Sequence, residues 1–206
     1  GVAHNAKLYA LKIVSGCNGW AYYSDIVAAW DWAVSHKNDD PSNPILIINT
    51  SFGGNKYLSA CDSSQQSLAA AANNAVANGI SLFGSSGNDG YIDGISSPAC
   101  VSNSISVGAV YDANVGYHGY SICTDSTTAA DKVTCYSNSA NFLDILAPSH
   151  DAYTTAVGGG YTSMFGGTSA ASPYAAGAGA LVQSYAKSVT GSYFSAGELK
   201  ARLLKG

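Results

Sequence analysis

A chain of 206 residues, of which 47% are hydrophobic and 11% are charged, can bury a substantial core, which excludes an intrinsically disordered segment. Its formal net charge is −4 and its nine lysines and arginines are dispersed. This argues against a nucleic-acid partner, because phosphate binding requires a clustered basic surface. No apolar run reaches the roughly 20 residues of a transmembrane helix, so the sequence also argues against a membrane-spanning protein.

Cysteine usage and polar loops together predict a secreted protein. The loops are rich in Ser, Asn, Gly and Tyr, and no two cysteines have the CxxC spacing of a zinc site. Disulfides are therefore expected, with Cys123 and Cys135 closing a polar loop and Cys61 and Cys100 forming a second bridge. Four cysteines allow three pairings, so other connectivities remain open. Cys17 is left over, either as a free thiol or with a partner elsewhere.

The first part of the chain predicts a strand, a helix and a second strand. The apolar run Leu8–Val14 is typical of a buried strand. Ser24 is placed to cap a helix whose apolar residues share one face, namely Ile26, Val27, Trp30, Ala33 and Val34. The apolar run Ile45–Asn49 then predicts a strand that leads into the turn SFGG.

The middle of the chain continues this alternation. Asp62 and Gln65 have the spacing of a capping box, and they predict a helix that stops at Gly79. Two further apolar runs predict strands over Ile80–Ser85 and Ser104–Val110. Strands and helices that alternate at this spacing, with continuous apolar runs, indicate an α/β fold whose parallel sheet carries helices on both faces.

The remainder of the chain mixes short strands with polar turns before two final helices. Leu143–Ala147 is a predicted strand, an Ala/Gly-rich helix follows Thr168, and a short amphipathic helix lies near Ala196–Leu204. No internal repeat and no linker interrupts the pattern, so residues 1–206 are predicted to belong to one domain.

Three glycine-rich polar loops are expected to meet at one edge of the sheet. Two of them follow predicted strands, in ILIINTSFGG and ISLFGSSGNDG, and the third is GGTSAASP at the start of the Ala/Gly-rich helix. Ligands of open parallel sheets bind beyond the carboxyl ends of the strands. The sequence therefore predicts a binding crevice formed by these loops.

Ser169 is the candidate nucleophile of this crevice. Gly166 and Gly167 allow a sharp turn, and a serine at a helix start lies beside unpaired N–H groups that stabilise negative charge. Pro173 cannot donate the hydrogen bond that the Ser169 carbonyl would otherwise accept, so the first turn is expected to be irregular. Spacing alone leaves open the alternative that Thr168 or Ser169 is only a helix N-cap.

Asn88 is the second candidate. It follows a predicted strand within SGNDG, and its side-chain amide could donate a hydrogen bond into the crevice. The alternative is an ordinary turn asparagine, which the flanking Gly87 and Asp89 would explain without any function.

Several stretches, taken together, resemble the subtilisin-like serine proteases. GGTSAASPYAAGAGALV resembles the nucleophile motif of that family, in which G-T-S-x-A-S-P opens a buried helix. GSSGNDG resembles its oxyanion-hole segment, INTSFGG its substrate-binding strand, and GVAHNAKLYALKIV its G-V-A-P-x-A-x-L-Y-A-V-K-V strand, with His4 in the proline position. SPACVSNSISVGAV and LDILAPS resemble a wall of the specificity pocket and the strand before the nucleophile region. The matches occur in the family's order and cover nearly all of the chain.

The resemblance implies a fold and roles for individual residues. The fold would be the family's three-layer α/β arrangement with a mainly parallel sheet, truncated at the N-terminus and at the C-terminus. Ser169 would form the acyl-enzyme, and the Asn88 amide with the Ser169 N–H would form the oxyanion hole. The resemblance also implies a cis peptide bond before Pro98. The substrate-binding residues would be Ser51, Phe52 and Gly53 along the peptide, and Ser85, Ser86, Gly87 and Ser96 around the specificity pocket.

The chain departs from the family in lacking the motifs of the catalytic acid and base. The family places its Asp in D-T/S-G and its His in H-G-T-H, upstream of the G-V-A-P strand, and neither motif occurs here. None of His4, His36, His118 and His150 is assigned as the base, and the last three are expected at the surface. The leading hypothesis is thus a portion of a secreted serine endopeptidase that is inactive alone. The alternative is a non-catalytic peptide-binding or structural remnant of the fold.

Expected partners follow from the same interpretation. They are a peptide or protein substrate and the missing N-terminal segment, with self-association as another way to cover exposed apolar surface. The chemistry itself needs no cofactor. A structural calcium ion is conceivable at Asp112, Asp144 or Asp151, but their spacing matches no EF-hand loop and surface aspartates are the simpler interpretation.

Overall fold

The computed structural model describes residues 1–14 and 19–205, so Cys17 lies outside the described residues. Four helices are present, α1 (Tyr23–Ser35), α2 (Gln66–Ala77), α3 (Thr168–Thr190) and α4 (Ala196–Leu203). The strands are β1 (Ile47–Thr50), β2 (Lys56–Tyr57), β3 (Ser81–Ser85), β4 (Ile95–Ser96), β5 (Ser104–Val110), β6 (His118–Gly119), β7 (Thr124–Asp125), β8 (Ile145–Pro148), β9 (Ala152–Thr155) and β10 (Tyr161–Phe165).

A four-stranded parallel sheet forms the centre of the molecule. Its strand order is β1-β3-β5-β8, with Ile47 opposite Ser81, Leu82 opposite Ser104 and Val107 opposite Ile145. Three antiparallel pairs lie outside it, β2 with β4, β6 with β7, and β9 with β10. Because the central strands are parallel, their carboxyl ends share one edge, which brings the loops after β1 and β3 together.

Helices cover both faces of the sheet, which confirms the predicted three-layer α/β architecture. Along β3, adjacent side chains point to opposite faces. Leu82 packs into a core built with α1 and α2, whereas Phe83 packs into a second core built with α3. α3 passes so close to the sheet that a Cβ at Gly179 would lie 2.8 Å from the Phe83 ring, so a glycine is needed there.

The predicted helix caps differ from the observed ones. α1 begins after Tyr22 without a side-chain cap, and Ser24 lies inside its first turn. α2 also lacks a side-chain cap, because the Asp62 carboxylate instead accepts hydrogen bonds from the N–H and hydroxyl of Ser102. The predicted stop is confirmed, since Gly79 follows the helix with a φ of +72°.

The predicted strand over Leu8–Val14 is wrong. Residues 8 to 14 form no strand, and Leu8 is 90% exposed. A strand needs a neighbour for its main-chain hydrogen bonds, and within the described ranges the edge strand β1 pairs with β3 alone. The segment is instead attached through a Lys7–Asp40 ion pair and an aromatic contact between Tyr9 and Trp32.

Both expected disulfides are present. Cys61 bonds to Cys100 with Cα atoms 5.4 Å apart, and Cys123 bonds to Cys135 with Cα atoms 6.0 Å apart. The Ser97–Pro98 peptide bond is cis, as predicted. Within residues 1–14 and 19–205, no helix combines the length and apolar character needed to span a membrane.

Candidate active site

The three glycine-rich loops meet at the carboxyl edge of the sheet. The Ser51 hydroxyl, just after β1, donates to the Ser169 carbonyl over 3.1 Å. The Ser172 hydroxyl of α3 donates to Asn49 Oδ1 over 2.7 Å, and the Gly87 N–H donates to Thr168 Oγ1 over 3.2 Å. These bonds join residues 81 to 123 positions apart in the chain, so the crevice is a product of tertiary structure.

Ser169 is the second residue of α3 and is half-buried. Pro173 leaves the Ser169 carbonyl without its usual helical donor, and the Ser51 hydroxyl takes that donor's place. This contact anchors the first turn of α3 to the loop after β1. The side chain of Ser169 itself engages in no hydrogen bond with the described residues, so its Oγ is available within the crevice.

Neither hydroxyl at the start of α3 caps the helix. The N-cap is Gly167, with a φ of +78°, and it has no side chain to make a capping bond. Thr168 is fully buried, and its hydroxyl donates to Asn88 Oδ1 over 2.9 Å. The capping alternative therefore does not describe this turn, and Thr168 instead ties the helix start to the loop after β3.

The Asn88 side chain is held against the nucleophile turn. Its Oδ1 accepts from the Thr168 N–H over 2.8 Å as well as from the Thr168 hydroxyl. This fixes the amide plane and leaves Nδ2 with no acceptor among residues 1–14 and 19–205. A Cβ at Gly167 would lie 3.1 Å from that Nδ2, so the donor sits beside the residues that lead into Ser169. An ordinary turn asparagine bonds to its own local backbone, whereas the Asn88 side chain bonds to Thr168, 80 residues away.

The predicted pocket residues also lie together. Ser85, Ser86 and Ser96 are buried, and a Cβ at Gly87 would lie 2.5 Å from Ser96 Oγ. On the other side, a Cβ at Gly53 would lie 3.5 Å from the Ser96 Cβ. Ser51 and Phe52 are half-buried, and the Phe52 carbonyl accepts from the Ser85 hydroxyl over 3.4 Å. The predicted binding residues on the segments after β1 and β3 and on β4 therefore lie next to one another in the folded chain.

Asn138 is a residue of this region that the sequence did not single out. Its side chain is completely buried and hydrogen-bonded to the loop after β3. In the sequence it lies in the polar run CYSNSAN, which is indistinguishable from a surface turn. No local signal marked it, because its partners are about 50 residues away.

The four histidines make different contacts in the structure. His36 stacks on Trp32 at the end of α1, and His4 is exposed. His118 and His150 have ring centroids 4.4 Å apart. The predicted surface position is wrong for His150, whose side chain is only 7% exposed, because the adjoining tyrosines enclose it. No described histidine is hydrogen-bonded to Ser169.

The aspartates considered for calcium are dispersed. Asp144 accepts from the Ser106 N–H and pairs with Lys200, whereas Asp151 pairs with His150 and Asp112 is exposed. In the part of the chain that the structure describes, no group of three or more His, Cys, Asp or Glu residues is placed to hold a metal ion.

Comparison with known protein sequences finds relatives among the subtilisins. Subtilisin-like protease 1 of Arthroderma otae is 32% identical over 182 residues, which cover 88% of this chain and 32% of the relative. Subtilisin E of Bacillus subtilis (strain 168) is 32% identical over 187 residues, 89% of this chain and 40% of the relative. Subtilisin of Bacillus pumilus shares 32% identity over 89% of this chain and 56% of its own length. The chain therefore spans about a third to just over a half of the curated relatives it matches.

Solved structures show the same fold at lower identity. Sphericase superimposes with a TM-score of 0.68 at 24% identity, over 91% of this chain and 56% of that one. A lanthipeptide protease superimposes with a TM-score of 0.72 at 20% identity, over 97% and 62% of the two chains. The family profile described as the subtilase family, Peptidase_S8, matches residues 1–205. Because this profile covers nearly the whole chain, the chain is a member of the subtilase family.

Proposed function

We propose that this chain is the central and C-terminal portion of the catalytic domain of a secreted serine endopeptidase, and that it carries the nucleophile Ser169 and an oxyanion hole. The observation that carries the proposal is the double hydrogen bond from Thr168 to Asn88 Oδ1, which turns the free Nδ2 donor toward the nucleophile turn.

The chemistry follows from this arrangement. Ser169 Oγ would attack the carbonyl carbon of the scissile peptide, its proton would pass to a base, and the carbonyl oxygen would gain negative charge. The Asn88 amide and the Ser169 N–H at the helix start would donate to that oxygen. Collapse of the tetrahedral intermediate would expel the amine and leave an acyl-enzyme, which water would hydrolyse.

The base and its orienting acid would come from polypeptide outside these 206 residues. The D-T/S-G and H-G-T-H motifs are absent from the sequence, and no described histidine is hydrogen-bonded to Ser169. A serine without an adjacent base is a weak nucleophile. The chain by itself would therefore not hydrolyse peptides at an enzyme's rate.

The crevice suits an extended peptide. Ser51, Phe52 and Gly53 follow directly after β1 and could pair with a substrate backbone, which a small ester could not exploit. The pocket borders are serines and a glycine, which favour an uncharged side chain before the scissile bond. Two disulfides fit secretion into an oxidising environment.

A further binding partner would be the rest of the polypeptide to which this chain belongs. Apolar side chains stand exposed in the described part of the N-terminal segment that precedes α1, including Leu8, Trp20 and Tyr22. We propose that the remaining segment of the same protein covers this surface, and that an isolated chain would cover it by self-association.

The nucleophile can be tested in the full-length gene product that contains these residues. A fluorophosphonate probe should label Ser169, and Ser169→Ala should abolish both labelling and peptide hydrolysis. Ser163→Ala, which changes an exposed serine on β10, is the matched control and should retain both. Full peptidase activity in the Ser169→Ala variant would disprove the assignment. Lack of labelling, with the Asp and His motifs replaced upstream, would establish a non-catalytic remnant instead.

A further inference from the structure

Asn138 occupies an unusual position behind the candidate oxyanion donor. It is fully buried in a polar loop between β7 and β8 and is hydrogen-bonded to the segment that contains Asn88. Burying a primary amide is costly unless its donors and acceptors are all paired. The positions of its partners therefore show what the residue holds in place.

The acceptor side of Asn138 binds the chain that follows Asn88. Its Oδ1 accepts from the Asp89 N–H over 2.9 Å and from the Tyr91 N–H over 3.1 Å. Both lone-pair directions of that oxygen are thereby used. The segment immediately after the oxyanion donor cannot move without breaking these bonds.

The donor side binds the main chain that precedes Asn88 and two side chains that follow it. Nδ2 donates to the Ser86 carbonyl over 3.1 Å, to Asp89 Oδ2 over 3.0 Å and to Ser96 Oγ over 3.3 Å. The main chain adds to this, because the Asn138 N–H donates to the Gly87 carbonyl over 2.9 Å. The Ser86 hydroxyl in turn donates to the Asn138 carbonyl over 2.8 Å.

Gly87 is the residue that allows this close approach. It has a φ of +107°, and a Cβ there would lie 2.2 Å from Asn138 Nδ2. Any side chain would displace the amide. The glycine before Asn88 and the buried asparagine therefore form one unit, although they are 51 positions apart in the sequence.

We propose that Asn138 is a positioning residue that clamps the main chain on both sides of Asn88 and thereby sets the direction of its amide donor. This inference rests on the proposed protease function of the crevice. Asn88 is thus fixed by two residues. Thr168 binds its side chain, and Asn138 binds the main chain on either side of it. The clamp acts on the transition state more than on substrate binding, because it orients a donor that serves the developing oxyanion.

The test compares Asn138→Ala in two backgrounds of the full-length protein, with native Asn88 and with Asn88→Gly. With native Asn88, kcat per fluorophosphonate-titrated site should fall about 10-fold, while KM changes less than about 3-fold. In the Asn88→Gly background, the same substitution should lower kcat less than about 2-fold further, because no donor remains to be positioned. Asn141→Ala, an exposed asparagine three residues away, is the control and should leave kcat unchanged.

A second variant covers the case in which Asn138→Ala does not fold. Asp89→Ala changes an exposed residue, removes one acceptor of the Asn138 amide and leaves the main-chain N–H groups that donate to Asn138 Oδ1 in place. Its loss in kcat should be smaller and should also disappear in the Asn88→Gly background. Equal losses in the two backgrounds, or an effect on KM alone, would overturn the proposal.

Hydrogen exchange separates this proposal from the proposed function. In Asp89→Ala, and in Asn138→Ala where it folds, the main-chain amides of residue 89 and Tyr91 report directly on the clamp. They should exchange at least about 10-fold faster in Asn138→Ala, remain protected in Asp89→Ala, and stay unchanged in Asn141→Ala. A wild-type protein that is not labelled at Ser169 would refute the protease function only. Fast exchange of both amides in the wild-type protein would refute the clamp even if Ser169 is catalytic.

Discussion

The crevice loops and the N-terminal segment differ in whether they have partners elsewhere in the chain for hydrogen bonding and packing. The loops after β1 and β3 bind the start of α3 through side-chain hydrogen bonds, and the cores beneath them are closed. Residues 8–14 are as apolar in sequence as the runs that form β3 and β5, yet they form no strand and leave Leu8 almost fully exposed. An apolar run therefore forms a strand only where another strand is available to pair with its main-chain N–H and C=O groups.

The largest loss of stability is expected when a core side chain beneath the crevice loops is removed. Phe83→Ala should destabilise the chain by about 3–5 kcal/mol, because the ring is completely buried between β3 and α3 and its removal leaves a cavity. Urea unfolding followed by tryptophan fluorescence would measure the change. A loss below about 1 kcal/mol would mean that the α3 core is not packed as described.

An intermediate loss of stability is expected when the buried carboxylate of Asp125 is replaced by an amide. Burial opposes its ionisation, but hydrogen bonds from Lys132, the Cys135 N–H and Tyr111 outweigh burial and lower the pKa of Asp125. A lowered pKa stabilises the folded chain above the ordinary aspartate value of about 4, and this contribution is lost as the pH falls through the lowered pKa. Asp125→Asn should therefore be less stable at neutral pH and should lose less stability on acidification.

The pH test requires unfolding curves at several values from neutral down to about pH 2. Asp112→Asn, at an exposed aspartate, is the matched control and should behave like the parent chain. Parallel pH profiles for Asp125→Asn and the parent would show that the network around Tyr111 does not hold the carboxylate in its charged form.

The smallest effect is expected in the N-terminal segment. Leu8→Ala should change the free energy of unfolding by no more than about 0.5 kcal/mol, since the side chain is exposed and has little packing to lose. The same unfolding experiment measures it beside Phe83→Ala. A loss of several kcal/mol would show that the segment is buried in solution, as in a self-associated state, and dilution would then reduce the effect.

Much of the fold was predictable because it is encoded locally. Ser104–Val110 is a strand with the predicted bounds, and Gly79 ends α2 as its backbone freedom suggested. Ser169 and Asn88 were found as candidates because helix starts and strand ends carry recognisable glycine and serine patterns. The helix caps at Ser24 and Asp62 were mispredicted, because a capping sequence shows only that a bond is possible and Asp62 found a partner in Ser102 instead.

By itself the sequence determined the alternation of strands and helices, the glycines of the tight turns and the residue types gathered at the crevice, since each depends on neighbours a few positions away. Only the tertiary structure decided that the Ser51 hydroxyl donates to the Ser169 carbonyl, that the His150 side chain is buried, and that Asn138 binds the main chain next to Asn88. These contacts join parts of the chain 30 to 118 positions apart. No local pattern specifies such pairs, because they form only when packing brings distant polar groups together where water cannot replace either partner.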